Sequence, residues 1–284
     1  MKEQKEWDLI IKPKPNIFHL GLKEVIEYKD LIWLFVKRDV VAQYKQTILG
    51  PLWLIIQPLL STLFFTIIFG SFAKFDTKGI PYPVFTLSGL TIWNLFSTSL
   101  NKTSNVFVSN AGIFGKVYFP RLTVPVSTLI SNGFTFLIQF FILLLLLLYY
   151  KVFNNYDWQM DLKLLFLFPL VLILSSLFGL GCGLIISSLT TKYRDLTFLV
   201  GFGLQFVMYF SSVVFPIDKF SAKIQLLFNL NPLLHIVGLF RAIFINAPLP
   251  QTQWLLYSAT WTLIVVTFGA IVFNRVEKSF MDTV

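Results

Sequence analysis

The chain has 284 residues, 56% of them apolar and only 13% charged, against roughly 45–50% and ~25% in soluble domains. That much apolar surface cannot be covered by 23 Lys and Arg with 14 Asp and Glu, so part of the solvent must be lipid. One Cys excludes an internal disulfide, and one Cys with two His excludes a His/Cys metal site. The formal charge of +9 is interleaved with long uncharged runs, which marks membrane-flanking charge rather than a nucleic-acid surface.

Residues 1–20 carry Lys, Glu, Asp, Trp and two prolines instead of an apolar core before a small-residue cleavage site, so no signal peptide is expected. From Lys23 to Tyr44, the residues Val25, Tyr28, Ile32, Phe35, Val36, Val40 and Tyr44 recur at steps of three and four, with Lys and Glu between them. This spacing predicts an amphipathic helix lying in the membrane interface, within an N-terminal segment of residues 1–50.

Uncharged runs then set the layout, because about 20 apolar residues at 1.5 Å each cross ~30 Å of hydrocarbon. Such runs hold 28 residues between Lys45 and Lys74, 23 between Lys78 and Lys102, and 29 between Arg121 and Lys151. They hold 28 between Lys163 and Lys192, and 22 between Asp195 and Asp218. A sixth, between Arg241 and Arg275, is cut by Pro248 and Pro250, so its span should start near Trp254. The predicted fold is an all-α polytopic membrane protein: six transmembrane helices over residues 51–273 and a tail over 274–284. The run Ile224 to Phe240 is short and holds Asn229, Asn231, Pro232 and His235. It predicts re-entrant outer helices between spans five and six, within 217–250. Sixteen Lys and Arg fall on the side of the termini and the loops near 102–123 and 190–196, and seven on the other. Positive residues favour the cytoplasm, so both termini are expected there.

The six expected spans hold no Asp, Glu or His to carry a coupling ion. No G-x-x-x-x-G-K-[ST] pattern exists either; the only Gly-Lys is Gly115-Lys116, followed by Val117. Uphill transport would therefore need a partner to supply energy, and on these residues alone a passive pore or scaffold stands beside that reading.

Several blocks stand out in chain order. The first runs Arg38-Asp39, Tyr44-Lys45, Thr47, Leu49-Gly50 and Trp53, then Pro58 and Phe69-Gly70. The second spans Asn110-Ala111-Gly112-Ile113-Phe114-Gly115-Lys116-Val117-Tyr118-Phe119-Pro120-Arg121. Lys192-Tyr193-Arg194-Asp195 and Asn231-Pro232 follow. Together these resemble the ABC-2-type polysaccharide exporter permeases, whose pattern before the first span is R-D-x-x-x-x-Y-K-x-[ST]-x-L-G-x-x-W. The resemblance implies a permease homodimer with two copies of a separate ATPase subunit, which binds ATP and Mg; no cofactor is expected in this chain. It implies a lipid-linked polysaccharide cargo such as O-antigen, capsule or teichoic acid. The wording Trp7-Asp8-Leu9-Ile10-Ile11-Lys12-Pro13 resembles the O-antigen branch and implies an inner membrane.

The resemblance also implies that the loop 108–123 docks on the ATPase. Ile113, Phe114, Val117, Tyr118 and Phe119 would supply apolar knobs, and Asn110, Lys116 and Arg121 polar contacts. The bland alternative is a loop whose basic residues only set topology. Arg38, Asp39, Tyr44, Lys45 and Trp53 would form the interface helix and its lead-in to the first span. Pro58 should kink that span.

Polar residues on spans are candidates for lining a sugar channel: Gln57 and Ser61 on the first, Asn94 and Thr98 on the second, Gln205, Tyr209 and Ser212 on the fifth. Helix-to-helix hydrogen bonding is the competing role. Ser175, Gly179, Gly183 and Ser187 repeat every four residues on the fourth span and predict close helix packing. Asn229, Asn231 and Pro232 are expected at an outer gate. An exporter of drugs or small lipids on the same fold stays open as a rival. A membrane glycosyltransferase is disfavoured, since Asp157 and Asp161 fall on the outer side.

Overall fold

The structure, a computed structural model, describes residues 22–45, 49–114, 116–117, 119–190 and 195–280. The Trp7–Pro13 block, Thr47, Tyr118 and Lys192 to Arg194 lie outside the described residues, as does the side chain of Tyr44. The regular elements of the described residues are all helices, without a strand.

Helix α1 (Leu22–Glu27) and helix α2 (Lys29–Lys45) form the expected amphipathic segment, broken at Tyr28. Val25, Phe35 and Val36 are buried on one face. Ile26, Trp33 and Leu34 are exposed, so a second apolar side is free to meet the membrane surface. The chain then turns at Gly50, whose φ of +49° suits glycine, and Pro51 starts the next helix.

Helix α3 (Trp53–Phe65) runs through Pro58 and continues as π-type turns over Thr66–Phe72. The irregular winding therefore falls at Thr66–Phe72, beyond the proline that the sequence marks for a kink.

Helix α4 (Tyr82–Ser104) is the pillar of the fold, with α3, α6 (Thr123–Phe153), α7 (Phe168–Thr190) and α10 (Pro232–Ile245) packed around it. Its interior positions include Thr86, Ser88, Thr91, Ser99 and Thr103, all buried. Ser88, Thr91 and Ser99 donate to carbonyls one turn back, at 2.7–2.8 Å. Such a helix is affordable in a membrane because its side chains meet protein and not lipid.

Among the described residues, four stretches are long and apolar enough to cross a bilayer: Gly50–Phe72, Thr123–Phe153, Leu165–Thr190 and Thr252–Val276, the last within α11 (Thr252–Phe280). A fifth is possible if α9 (Ala222–Asn229) and α10, bent by 92° between them, count as one broken span. Length and apolarity thus give four or five where the charge gaps predict six. The α4 stretch drops out because it is too polar. The gap from Asp195 to Asp218 yields only α8 (Leu196–Phe210), 15 residues or about 22 Å. Charge gaps count turns as well as helix, and Ser211 to Phe215 are turn.

The small-residue stripe of α7 seats α4 within the same chain. A Cβ on Gly179 would stand 2.5 Å from the Phe96 carbonyl oxygen, and one on Gly183 2.6 Å from Thr103 Cβ. Ser175 donates to the Ile92 carbonyl at 3.3 Å. A second close approach escapes the every-fourth-residue pattern: Gly181 faces Gly269 of α11, where an added Cβ would lie 2.6 Å from the Gly181 oxygen. We expect Gly179→Val to destabilise the purified protein by about 1–3 kcal/mol or to abolish monodisperse elution. Gly201→Val, where nothing lies within 4 Å, should be silent in the same thermal-unfolding assay.

Candidate functional site

At the end of the bundle that carries both α2 and the end of α11, α5 (Val106–Phe114) follows α4 almost directly. Phe107 stacks on Phe273 of α11 at 4.5 Å, and Phe119 stands 5.7 Å from both Phe114 and Phe35 of α2. The Arg121 guanidinium lies 5.4 Å over the Phe114 ring. This aromatic cluster clamps α2, α5, the turn after it and α11 into one body.

The residues expected to meet an ATPase therefore divide. Asn110, Phe114, Phe119 and Arg121 are buried in their own chain, while Ile113 is half-buried. Lys116 and Val117 are exposed on the turn that follows α5, whose amides bond back to the Ile113 carbonyl. Of the described residues expected to dock, Lys116 and Val117 are the exposed ones, beside the buried Phe114 and Phe119. Arg38 pairs with Asp39 at 2.8 Å, donates to Asn110 Oδ1 at 3.4 Å and covers the Phe35 ring. Lys45 and Trp53 are exposed on either side of the Gly50 turn.

Among the expected channel residues, Gln57 is exposed and Ser61 half-buried on α3. Asn94 and Thr98 are half-buried on α4, and the Asn94 amide donates to Gln139 Oε1 of α6 at 3.2 Å. Gln205 is exposed on α8, and the Tyr209 ring is parallel to Phe215 at 6.3 Å. Ser212 departs from the expected stripe. It lies past the end of α8 with φ +53°, buried, its hydroxyl donating to the Phe215 carbonyl at 2.8 Å. The stripe on α8 is therefore two residues long, because the helix stops at Phe210.

The opposite end of the bundle is organised by a residue whose role the sequence did not reveal. Arg241, on α10, is 4% exposed and has no carboxylate in reach among the described residues. Its guanidinium donates instead to the carbonyls of Ser212, Val213 and Phe85 at 2.7–2.9 Å and to Ser88 Oγ at 3.2 Å. It also lies 3.6 Å over the Phe85 ring. One side chain thus binds α4, α10 and the turn closing α8, where a cation complements the carbonyl end of a helix. Gly89 leaves the room, since a Cβ there would lie 2.5 Å from Arg241 Nη2. In the sequence Arg241 reads as a boundary charge; the signal available was its apolar flank on both sides, Leu239-Phe240 and Ala242-Ile243.

The bend between α9 and α10 is equally well tied. The Asn231 carbonyl side-chain oxygen caps α10 by accepting from the Leu233 amide at 3.1 Å, and its amide donates to Ser211 at 2.9 Å. Pro232 takes the first helical position. His235 reaches the Asn229 carbonyl at 2.9 Å and stacks on Trp254 of α11. The loop after α6 closes over this end, with Trp158 donating to the Phe244 carbonyl at 2.7 Å. Burial pushes the Tyr156 phenol in that loop above its ordinary pKa, and the Asp157 carboxylate adds to the shift.

Residues 30–245 match the family described as ABC-2 type transporter. The chain belongs to that family. Among its relatives is an O-antigen export system permease protein RfbA of Klebsiella pneumoniae, 26% identical over 89% of this chain and 94% of the relative. The RfbA protein of Myxococcus xanthus is 25% identical over 93% of this chain and 98% of its own length. The polysialic acid transport protein KpsM of Escherichia coli is 25% identical over 87% and 93%. The family match begins in α2 and ends with α10, so it takes in both the aromatic cluster at one end and Arg241 at the other.

In this ABC-2 type chain, Arg241→Met should cost about 3–5 kcal/mol, because it strands three buried carbonyls and a hydroxyl. Arg241→Lys should recover only part of that loss, since an ammonium cannot reproduce the planar fork. Thermal unfolding in detergent measures both.

Proposed function

We propose that this chain is the membrane-embedded permease subunit of an ATP-driven exporter of lipid-linked polysaccharide, with O-antigen as its cargo. The observation that carries the reading is end-to-end similarity to relatives named for O-antigen export, which it matches over 94–98% of their length. Relatives named for polysialic acid and capsule export keep the cargo within polysaccharides. With no phosphate-binding Gly-Lys-[ST] pattern in the sequence, ATP and Mg are assigned to two copies of a separate ATPase subunit. A second copy of this chain completes the pathway. We place the assembly in the inner membrane, in line with a relative named as an inner-membrane capsule export protein. Six crossings, with α4 and α8 joining the four apolar stretches, put both termini in the cytoplasm by the excess of Lys and Arg there.

On this reading the ATPase grips the Lys116–Val117 turn. Because Phe107, Phe114 and Phe119 are packed on Phe35 and Phe273, a push on that turn passes to α2 and α11 as a rigid displacement. Gln57, Ser61, Asn94, Thr98, Gln205 and Tyr209 would offer hydroxyl and amide groups to a sliding sugar chain, with Asn229, Asn231 and Pro232 at the outer gate.

Co-purification with the ATPase subunit tests the coupling. Lys116→Glu combined with Val117→Asp should lower recovered ATPase at least about tenfold, equivalent to ~1.4 kcal/mol, without lowering the permease's thermal midpoint. Phe114→Asp should instead unfold the aromatic cluster, at about 3–5 kcal/mol. Undiminished recovery with the double variant would sink the docking assignment, and a chain that purifies alone under gentle conditions would sink the ATP-driven reading.

A further inference from the structure

Between α2, the last turn of α4 and the first turn of α5 lies an open cleft of about 460 Å3. Arg38, Asp39, Lys102, Asn105 and Asn110 contribute its polar wall. Two cations share this cleft with one carboxylate, and Asp39 is already engaged by Arg38 at 2.8 Å. Lys102 feels Asp39 only from beyond ion-pair distance: its ammonium is closed to water and makes no hydrogen bond or ion pair among the described residues. An ammonium removed from water and left unpaired is among the costliest arrangements a protein can hold. The N-terminus of α5, with Val106 in the same wall, adds positive potential.

The setting narrows the anion. On α2, Trp33 and Leu34 are each 60% accessible, between Lys29 and Lys37. That composition seats a helix at the level of lipid headgroups, where the abundant anion is phosphate. We infer that this cleft binds the phosphate group of a membrane lipid, with Lys102 as its ammonium partner and Arg38 as the donor at the rim. The flexible stem of Lys102 lets the ammonium turn into the cleft. The inference goes beyond the export reading and needs neither the ATPase nor the polysaccharide.

Native mass spectrometry of the detergent-purified full chain tests it, with dioctanoyl phosphatidylglycerol, dioctanoylglycerol and inorganic pyrophosphate as probes. Phosphatidylglycerol should saturate at one molecule per chain, and dioctanoylglycerol, which lacks phosphate, should not bind. Lys102→Gln and Arg38→Gln should each weaken binding about tenfold, and Lys102→Arg should largely retain it. Asp39→Asn should tighten binding, since it removes the competing carboxylate, and Lys163→Gln at the opposite end should leave it unchanged. If Lys102→Gln fails to fold, the exposed Arg38 decides the matter. Competition by pyrophosphate would mean that the phosphate group alone is read; no competition would mean that the acyl chains are also held, and either outcome supports a lipid phosphate. Binding of pyrophosphate without phosphatidylglycerol would overturn the lipid source. Binding that is indifferent to Lys102→Gln, Arg38→Gln and Asp39→Asn would overturn the site.

Discussion

A backbone or hydroxyl group inside a bilayer must find its partner in protein, and this constraint shapes the whole molecule through α4. That helix buries Ser88, Thr91 and Ser99, whose hydroxyls donate to carbonyls one turn back. It can sit at membrane depth only because other helices enclose it. The enclosure in turn requires near contact, which Gly179 and Gly183 of α7 permit by lacking a side chain. Gly181 does the same for α11 on another face of α7. The apolar stretches can then spend their bulky side chains on lipid: Leu60, Leu63 and Phe64 of α3 and Phe141 of α6 are largely exposed.

The two ends of the bundle are held by different physics. At the end with α2 and α5, the clamp is aromatic stacking, which resists shear as a close-packed solid does but tolerates no polar intruder. At the other end the clamp is one buried guanidinium on carbonyl oxygens, which is directional and carries its charge without an ion pair. A device that is pushed at one end and must open at the other benefits from this division. Under the exporter reading, displacement enters through a stiff hydrophobic block and arrives at a corner where α4, α8 and α10 meet on a single side chain.

Much of this was legible in the residues. The amphipathic segment around Phe35 and Val36 and the every-fourth-residue stripe on α7 rest on periodicity, which local sequence carries directly. Family resemblance was likewise local, since Arg38-Asp39 and the Asn110 to Arg121 block are short contiguous patterns. Other features were not legible. Charge gaps counted the Ser211 to Phe215 turn as span and made α8 longer than it is. The phenylalanines of the loop after α4 looked like knobs for a partner, because hydrophobicity at a loop does not say which side of the chain it faces. Arg241 looked like a boundary charge because its partners are backbone carbonyls, and carbonyls leave no mark on a sequence.

By itself the sequence determined that this is a membrane-embedded, all-helical chain of the ABC-2 type. Composition decides the solvent, apolar period decides the helices, and contiguous motifs decide the family. Only the tertiary structure decided which polar residues are enclosed, which phenylalanines point inward and what surrounds Arg241 and Lys102. Those are properties of the distances between segments far apart in the chain, and a packed interior fixes them through shape and hydrogen-bond satisfaction that no single segment encodes.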